Sequence, residues 1–283
     1  MRALRATLLA LAAGAATAPA ATAQPPTRTN RIGMEFVLIR PGSMVVGRFQ
    51  PACPTPAAAE PRREPADPRT RWTPEDYRRC AEMVKRDAMP GFTVHVGRPY
   101  YIGKYEVTQG EWRKVMGTNP SVFQGSKVKD DADRHPADNV TWADARAFVK
   151  KLNAMDATAH YRLPTEFEWE YAARAGAERD LTWAEIREQA QLALVDKGTT
   201  QPVGGKAPNA WGLYDTLGNV WEWVEDYYNE KLFADPTPPR AGTVHVLRGG
   251  SFLSDVKNTT YFTHAAGPGS GFDVGFRVVR EVR

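Results

Sequence analysis

Cysteine is scarce in this chain of 283 residues: only Cys53 and Cys80 occur. Two thiols exclude a disulfide-dense scaffold, and neither has a His or a second Cys at ligand spacing, so a metal site there has no support. Histidine is nearly as rare. None of His95, His135, His160, His245 and His264 forms an i,i+4 pair, which removes a His-rich iron motif and leaves each as a surface or satisfied structural residue. An excess of one charge is also lacking: 37 Lys+Arg face 33 Asp+Glu in a mixed pattern. With no polybasic arm or Arg/Lys stripe, nucleic acid is discounted as a partner. No internal repeat and no Gly-x-Ser-x-Gly elbow is present, so Ser254, Asp255 and His264 are not read as a hydrolytic triad.

What is present supports a packed core, since 42% of residues are hydrophobic and 10% aromatic. The 23 Gly, 22 Pro and 8 Trp point to irregular, aromatic-pinned structure rather than a helical bundle. The expected fold is α+β, a single compact, loop-rich domain.

Residues 1–23 read as a secretory signal peptide: Arg2 and Arg5, an apolar stretch over residues 6–15, and the small-residue ending Ala21-Thr22-Ala23. The apolar run is shorter than the roughly 20 residues a membrane span needs. The expectation is a periplasmic or secreted protein that is not an integral membrane protein after cleavage. Removing two arginines and no acid leaves 35 positive against 33 negative groups, so the apparent basicity largely disappears. Export also lets the two thiols pair, and a Cys53–Cys80 disulfide would contribute roughly 3 to 4 kcal/mol by the chain-entropy model.

Residues 24–32 are polar and read as a flexible lead-in, and the domain runs from residue 33 to 283. Met34-Glu35-Phe36-Val37-Leu38-Ile39 and Met44-Val45-Val46 flank a Pro41-Gly42-Ser43 turn and are expected to form a hairpin. Residues 50–91 shift to Pro, Ala, Arg and Glu and read as a surface insertion whose second half is helical. Strands are expected over residues 92–96, 100–107, 244–247 and 276–279. Helices are expected over 109–116, over 142–155 capped by Thr141, and from Thr165 with Glu168 as a capping box to Ala175; residues 182–194 form a further short one.

Several blocks occur in a distinctive order: Tyr105-Glu106-Val107-Thr108, Arg162-Leu163-Pro164-Thr165-Glu166-Phe167-Glu168-Trp169-Glu170, Gly212-Leu213-Tyr214-Asp215, Gly218-Asn219-Val220-Trp221-Glu222-Trp223, Arg248-Gly249-Gly250-Ser251 and Gly275-Phe276-Arg277. Together they resemble the formylglycine-generating enzyme, or sulfatase-modifying factor, family over residues 33–280 apart from the insertion. The resemblance implies a C-type-lectin-like fold with little regular secondary structure and often bound calcium. A family calcium site maps to the Asp215 side chain, the Gly218 and Val220 carbonyls and the Glu222 side chain. Those hard oxygens suit Ca²⁺; the competing reading has Asp215 capping a turn and Glu222 paired with a basic residue. A second family calcium site falls within residues 178–204, where the sequence departs from the pattern, and is not carried over.

The activity in the family's name depends on two copper-binding cysteines after the Gly-Gly-Ser turn. Ser254 and Thr259 stand at those positions. Soft Cu(I) requires thiolates, and neutral hydroxyls are hard, poorly ionised ligands, so no copper is expected and no catalytic residue is assigned. Trp221 and Ser251 match residues lining the family's active-site groove, which Asp255, Asn258, Thr260, Tyr261 and His264 would surround. Two functions follow from the resemblance. One is a non-catalytic, pseudoenzyme-like binding protein for an envelope or secreted protein, peptide or glycan, for example a toxin-neutralising partner. The alternative is a copper-independent periplasmic enzyme tailoring a secreted peptide, similar to the pyoverdine-maturation member of the family.

Overall fold

The computed structural model describes residues 25–46, 91–177, 198–232, 236–254, 259–261, 263–267 and 269–282, with scattered positions within 74–82 and 179–186. The expected signal segment, both cysteines and most of the expected insertion lie outside the described residues.

Among the described residues, three sheets and three α-helices carry the fold. Strands β1 (Thr27–Thr29), β2 (Glu35–Ile39), β5 (Tyr100–Gly103), β11 (Val279–Glu281) and β6 (Tyr161–Arg162) form a five-stranded sheet in the order β1-β2-β5-β11-β6. A four-stranded sheet runs β10 (Val274–Phe276), β7 (Trp221–Tyr227), β8 (His245–Arg248), β9 (His264–Ala266). Its β10–β7 pair is parallel. Strands β3 (Gly42–Val46) and β4 (Phe92–Val96) make a separate ribbon.

The expected hairpin between β2 and β3 does not form. Asn30 Oδ1 accepts the N–H groups of Ile32 and Met34 at 3.1 and 3.0 Å, an Asx-type turn that folds β1 back on β2. The lead-in is therefore partly a strand, with Thr27 opposite Val37 and Thr29 opposite Glu35. On its other edge β2 pairs with β5, burying Val37, Ile39, Tyr100, Ile102 and Val279 together. With both edges of β2 taken and Pro41 breaking the strand, β3 crosses to β4, Gly42 opposite Val96 and Val46 opposite Phe92. The strand expected over residues 276–279 divides between β10 and β11, and that expected over 100–107 ends at Gly103.

Each helix starts with a capping box, in which side chain and backbone satisfy each other's exposed donors. Thr108 and Glu111 open α1 (Gln109–Met116), Thr141 and Asp144 open α2 (Trp142–Met155), and Thr165 and Glu168 open α3 (Glu166–Arg174). Helices α1 and α2 meet through Trp112 stacked on Phe148, ring centroids 5.5 Å apart, and Phe276 packs edge-on against both. This junction fixes β10 under the helices. Close approach also explains Gly275: a Cβ there would lie 2.6 Å from the Ala137 carbonyl oxygen, so only glycine lets the segment before α2 pack against β10.

Candidate functional site

The turn after β8 organises the site. Gly249 and Gly250 have φ of +90° and +76°, a left-handed conformation that side chains resist. Backbone bonds then fix the turn to the loop before β7: Gly218 N–H donates to the Gly249 carbonyl at 2.9 Å and Phe252 N–H to the Asn219 carbonyl at 2.8 Å.

Ser254 and Thr259 converge on this turn. A Cβ built on Gly250 would lie 3.1 Å from Ser254 Oγ and 3.1 Å from Thr259 Oγ1, so the two hydroxyls flank one point. Ser254 Oγ accepts the Ser251 N–H at 2.9 Å, and Thr259 is fully buried. The pair is brought together as the cysteine alignment implies, with hydroxyls where copper needs thiolates. That donor set does not fit Cu(I).

Trp221, partly exposed, and Ser251, fully buried, lie beside it, joined through Asp273. Trp221 N–H donates to the Asp273 carbonyl at 2.8 Å, and Ser251 Oγ donates to Asp273 Oδ2 at 2.8 Å. Next to them Phe123, Phe252 and Phe272 cluster with ring centroids 5.2 to 6.3 Å apart. Leu253 and Phe272 keep 48% and 46% of their surface in solvent, so an apolar patch lies open beside the turn. Behind it, buried Asp138 accepts N–H groups from Val122 at 2.6 Å and Phe123 at 3.3 Å. Burial pushes its carboxyl up to about 6, against the pull of those two donors.

Two expected groove residues sit elsewhere. Tyr261 is 4% exposed and packs with Trp169, Leu217, Val224 and Val246, because its ring completes the core beneath β8. His264, on β9, points to Glu166, with Nδ1 3.3 Å from Oε1, and its ring lies against Tyr228. Arg248 draws this region inward: it pairs with Glu166 at 3.1 Å and Glu170 at 2.6 Å, all fully or nearly fully buried. Thr260 is buried and bonds Thr263 Oγ1 at 2.7 Å. Asp255 and Asn258 lie outside the described residues. Of the other histidines, His135 is buried between Thr200 and Asp130, and His245 is stacked between Trp142 and Tyr227.

The calcium set occupies a buried, acidic pocket. Glu222 receives Arg277 Nε and Nη2 at 2.6 Å each and Trp169 Nε1 at 2.7 Å, while Asp215 Oδ2 accepts the Gly204 N–H at 2.6 Å. Both carboxylates are thus engaged as the competing reading has it. A third acid, Glu106, accepts from Asn219 Nδ2 at 2.7 Å and from the Val220 N–H at 3.1 Å. Burial, with Asp215 and Glu222 nearby, holds the Glu106 carboxyl well above the usual range. Raised in this way, Glu106 is held towards its neutral form, which leaves Asp215 and Glu222 as the charged carboxylates beside the Arg277 guanidinium. Their hard oxygens are of the kind Ca²⁺ takes, although both Glu222 oxygens are already engaged by Arg277 and Trp169. Among the described residues, no three or more His, Cys, Asp or Glu side chains gather as a metal cluster. Glu106 and Asp138 escaped sequence reasoning because each is a lone acid with no spacing pattern.

Together the sheets, the glycine turn and the hydroxyl pair define a mixed α+β domain of the formylglycine-generating-enzyme, C-type-lectin-like fold. PvdO from Pseudomonas aeruginosa superposes with a TM-score of 0.68 at 23% identity, over 93% of this chain and all of that one. The Treponema denticola variable protein 1 gives 0.68 at 25% identity, over 92% and 100%. The chain belongs to the sulfatase-modifying factor family: the sulfatase-modifying factor enzyme 1-like domain matches residues 21–282. The formylglycine-generating enzyme of Streptomyces coelicolor is 35% identical over 178 residues, 56% of this chain and 51% of that enzyme. The chain therefore spans about half the length of that relative. Chaperone protein LppX of Paenibacillus barcinonensis is 30% identical over 237 residues, 64% of this chain and 80% of that protein.

Proposed function

We propose that this protein is an exported, non-catalytic binding protein whose Trp221–Ser251 face receives a protein, peptide or glycan of the cell envelope. The observation that carries the reading is the pair of hydroxyls at Ser254 and Thr259, one bonded to a backbone N–H and the other buried, beside the exposed apolar side chains of Leu253 and Phe272. The turn carries no soft ligand at these two positions and has exposed apolar side chains beside it. The chaperone name of the Paenibacillus relative fits a binding role. Among the described residues no helix is long and apolar enough to cross a membrane, which is compatible with export. Calcium belongs to the same proposal: Asp215, Gly218, Val220 and Glu222 would hold it, and it would supply positive charge to the acidic pocket behind the groove.

The alternative, a copper-independent enzyme tailoring a secreted peptide, draws on Asp138, whose carboxyl titrates near 6 beside the groove. Asp138 is fully buried, so the binding reading stands ahead.

The test pairs two measurements. Incubated with copper, oxygen and a sulfatase-type Cys peptide, the protein leaves the peptide cysteine unoxidised. Pull-down from a periplasmic extract recovers a partner that Trp221→Ala binds more weakly by roughly 2 kcal/mol, as truncating a central aromatic anchor does. Aldehyde formation would overturn the non-catalytic reading, and unchanged affinity would move the interface to the insertion at residues 50–91.

A further inference from the structure

Helix α2 places Arg146 and Lys150 four residues apart on one face, where like charges weaken a helix slightly. That arrangement does nothing for the helix itself. Between this face and β6 lies a depression of about 520 Å³, walled by Arg146, Val149, Lys150, His160, Tyr161 and Arg162, with no carboxylate in its lining.

Nearby acids act from the rim and hold the cations in place. Glu225 takes both its bonds from one Arg146 nitrogen, Nη1, at 2.7 and 2.6 Å. The same guanidinium lies over the Trp142 ring, 5.4 Å from its centroid. Glu281 lies 3.1 Å from His160 Nδ1. Arg162 is spent on Glu168, Glu281 and the Leu163 carbonyl, which makes it a wall rather than a ligand. Arg146 keeps Nε and Nη2, and His160 keeps Nε2, clear of these contacts. Lys150 is exposed and forms no ion pair among the described residues.

We propose that the α2–β6 depression binds an oxyanion, a phosphate, sulfate or carboxylate, free or carried on a sugar-sized molecule. Lys150 supplies a cation that no carboxylate contacts among the described residues. Arg146 supplies further donors through Nε and Nη2, charge-assisted bonds of this kind being the strong ones, and the His160 ring, turned to Glu281 through Nδ1, forms part of the opposite wall. The floor is stiff, because the Asn153 amide is fully used by the Val149 carbonyl and both backbone groups of Tyr161. None of these residues belongs to the Trp221 groove, so the inference stands apart from the function proposed for it.

Calorimetric titration of the whole protein at fixed ionic strength tests it, with inorganic phosphate, glucose 6-phosphate and glucose as probes. Both phosphates bind with Kd on the order of millimolar or tighter and glucose does not. Lys150→Gln, an exposed change between good helix formers, weakens binding roughly ten-fold, the usual cost of losing a bond to a charged group. Lys151→Gln, the exposed neighbour, leaves it unchanged. Tighter binding of the sugar phosphate identifies a carried anion and equal binding a free one, and either supports the site when it depends on Lys150. No binding of either phosphate, or equal affinity in Lys150→Gln, would overturn it.

Discussion

Asp226 sits half-buried near the end of β7 and accepts the first N–H of α3, from Glu166, at 2.6 Å. Burial pushes its carboxyl up to about 6; the Glu166 N–H pulls it down, and the charges of Glu166, Glu168 and Glu225 raise it further. A folded-state value above the unfolded one means that the native protein binds the proton more tightly. The stability this group contributes is present below about pH 4 and is lost as pH rises to about 6. Asp226→Asn keeps an acceptor for Glu166 and removes the charge. The variant should be more stable than wild type at pH 7 by roughly 2 to 3 kcal/mol, the worth of moving a carboxyl from 3.8 to about 6, with the gap closing towards pH 4. Urea denaturation at the two pH values reads this directly, and a constant gap would refute it. Little of such behaviour is legible in a sequence. Asp226 and Asp138 look like ordinary acids until the chain buries them, and Arg277, visible only as the last letter of a motif, turns out to be the counter-ion of Glu222.

Local chemistry made the helices readable, because a capping box needs only two residues three apart. Thr108 with Glu111 and Thr165 with Glu168 start their helices where that spacing predicts. Strand partners are another matter. The choice between β3 and β1 as neighbour to β2 turned on Asn30 folding β1 back and on β4, which lies beyond the insertion, and neither interaction leaves a periodic trace. The edge strand β6 shows how far a side chain can stand in for a missing strand: Asn153 Oδ1 accepts the Tyr161 N–H at 2.7 Å and Nδ2 donates to the Tyr161 carbonyl at 2.8 Å. An amide thus completes the ladder that a two-residue edge would otherwise leave open. Asn153→Ala should cost about 2 kcal/mol, as two backbone groups of a half-buried strand lose their partners. A lower urea midpoint with unchanged slope would show it; an unchanged midpoint would mean that water substitutes freely.

Across the whole molecule, buried ions join what apolar packing leaves separate. Arg277 reaches the Gly103 carbonyl at the end of β5, the Tyr214 carbonyl and Glu222 on β7, so one side chain links both large sheets. If calcium occupies the Asp215, Gly218, Val220 and Glu222 set, it stabilises every element tied to that junction at once. At free calcium about 100 times its Kd the gain is about 2.7 kcal/mol, enough to raise Tm by roughly 5 °C or more in a domain of this size. Equal melting temperatures in calcium and in chelator would remove the ion from the description. The glycine turn beside this junction has a different consequence. Its path is set by bonds between backbone groups, Gly218 to Gly249 and Phe252 to Asn219, to which Ser254 Oγ adds one from the Ser251 N–H. Such a turn works like a socket: what is plugged into the positions of Ser254 and Thr259 can change from thiol to hydroxyl while the backbone wiring behind it stays intact.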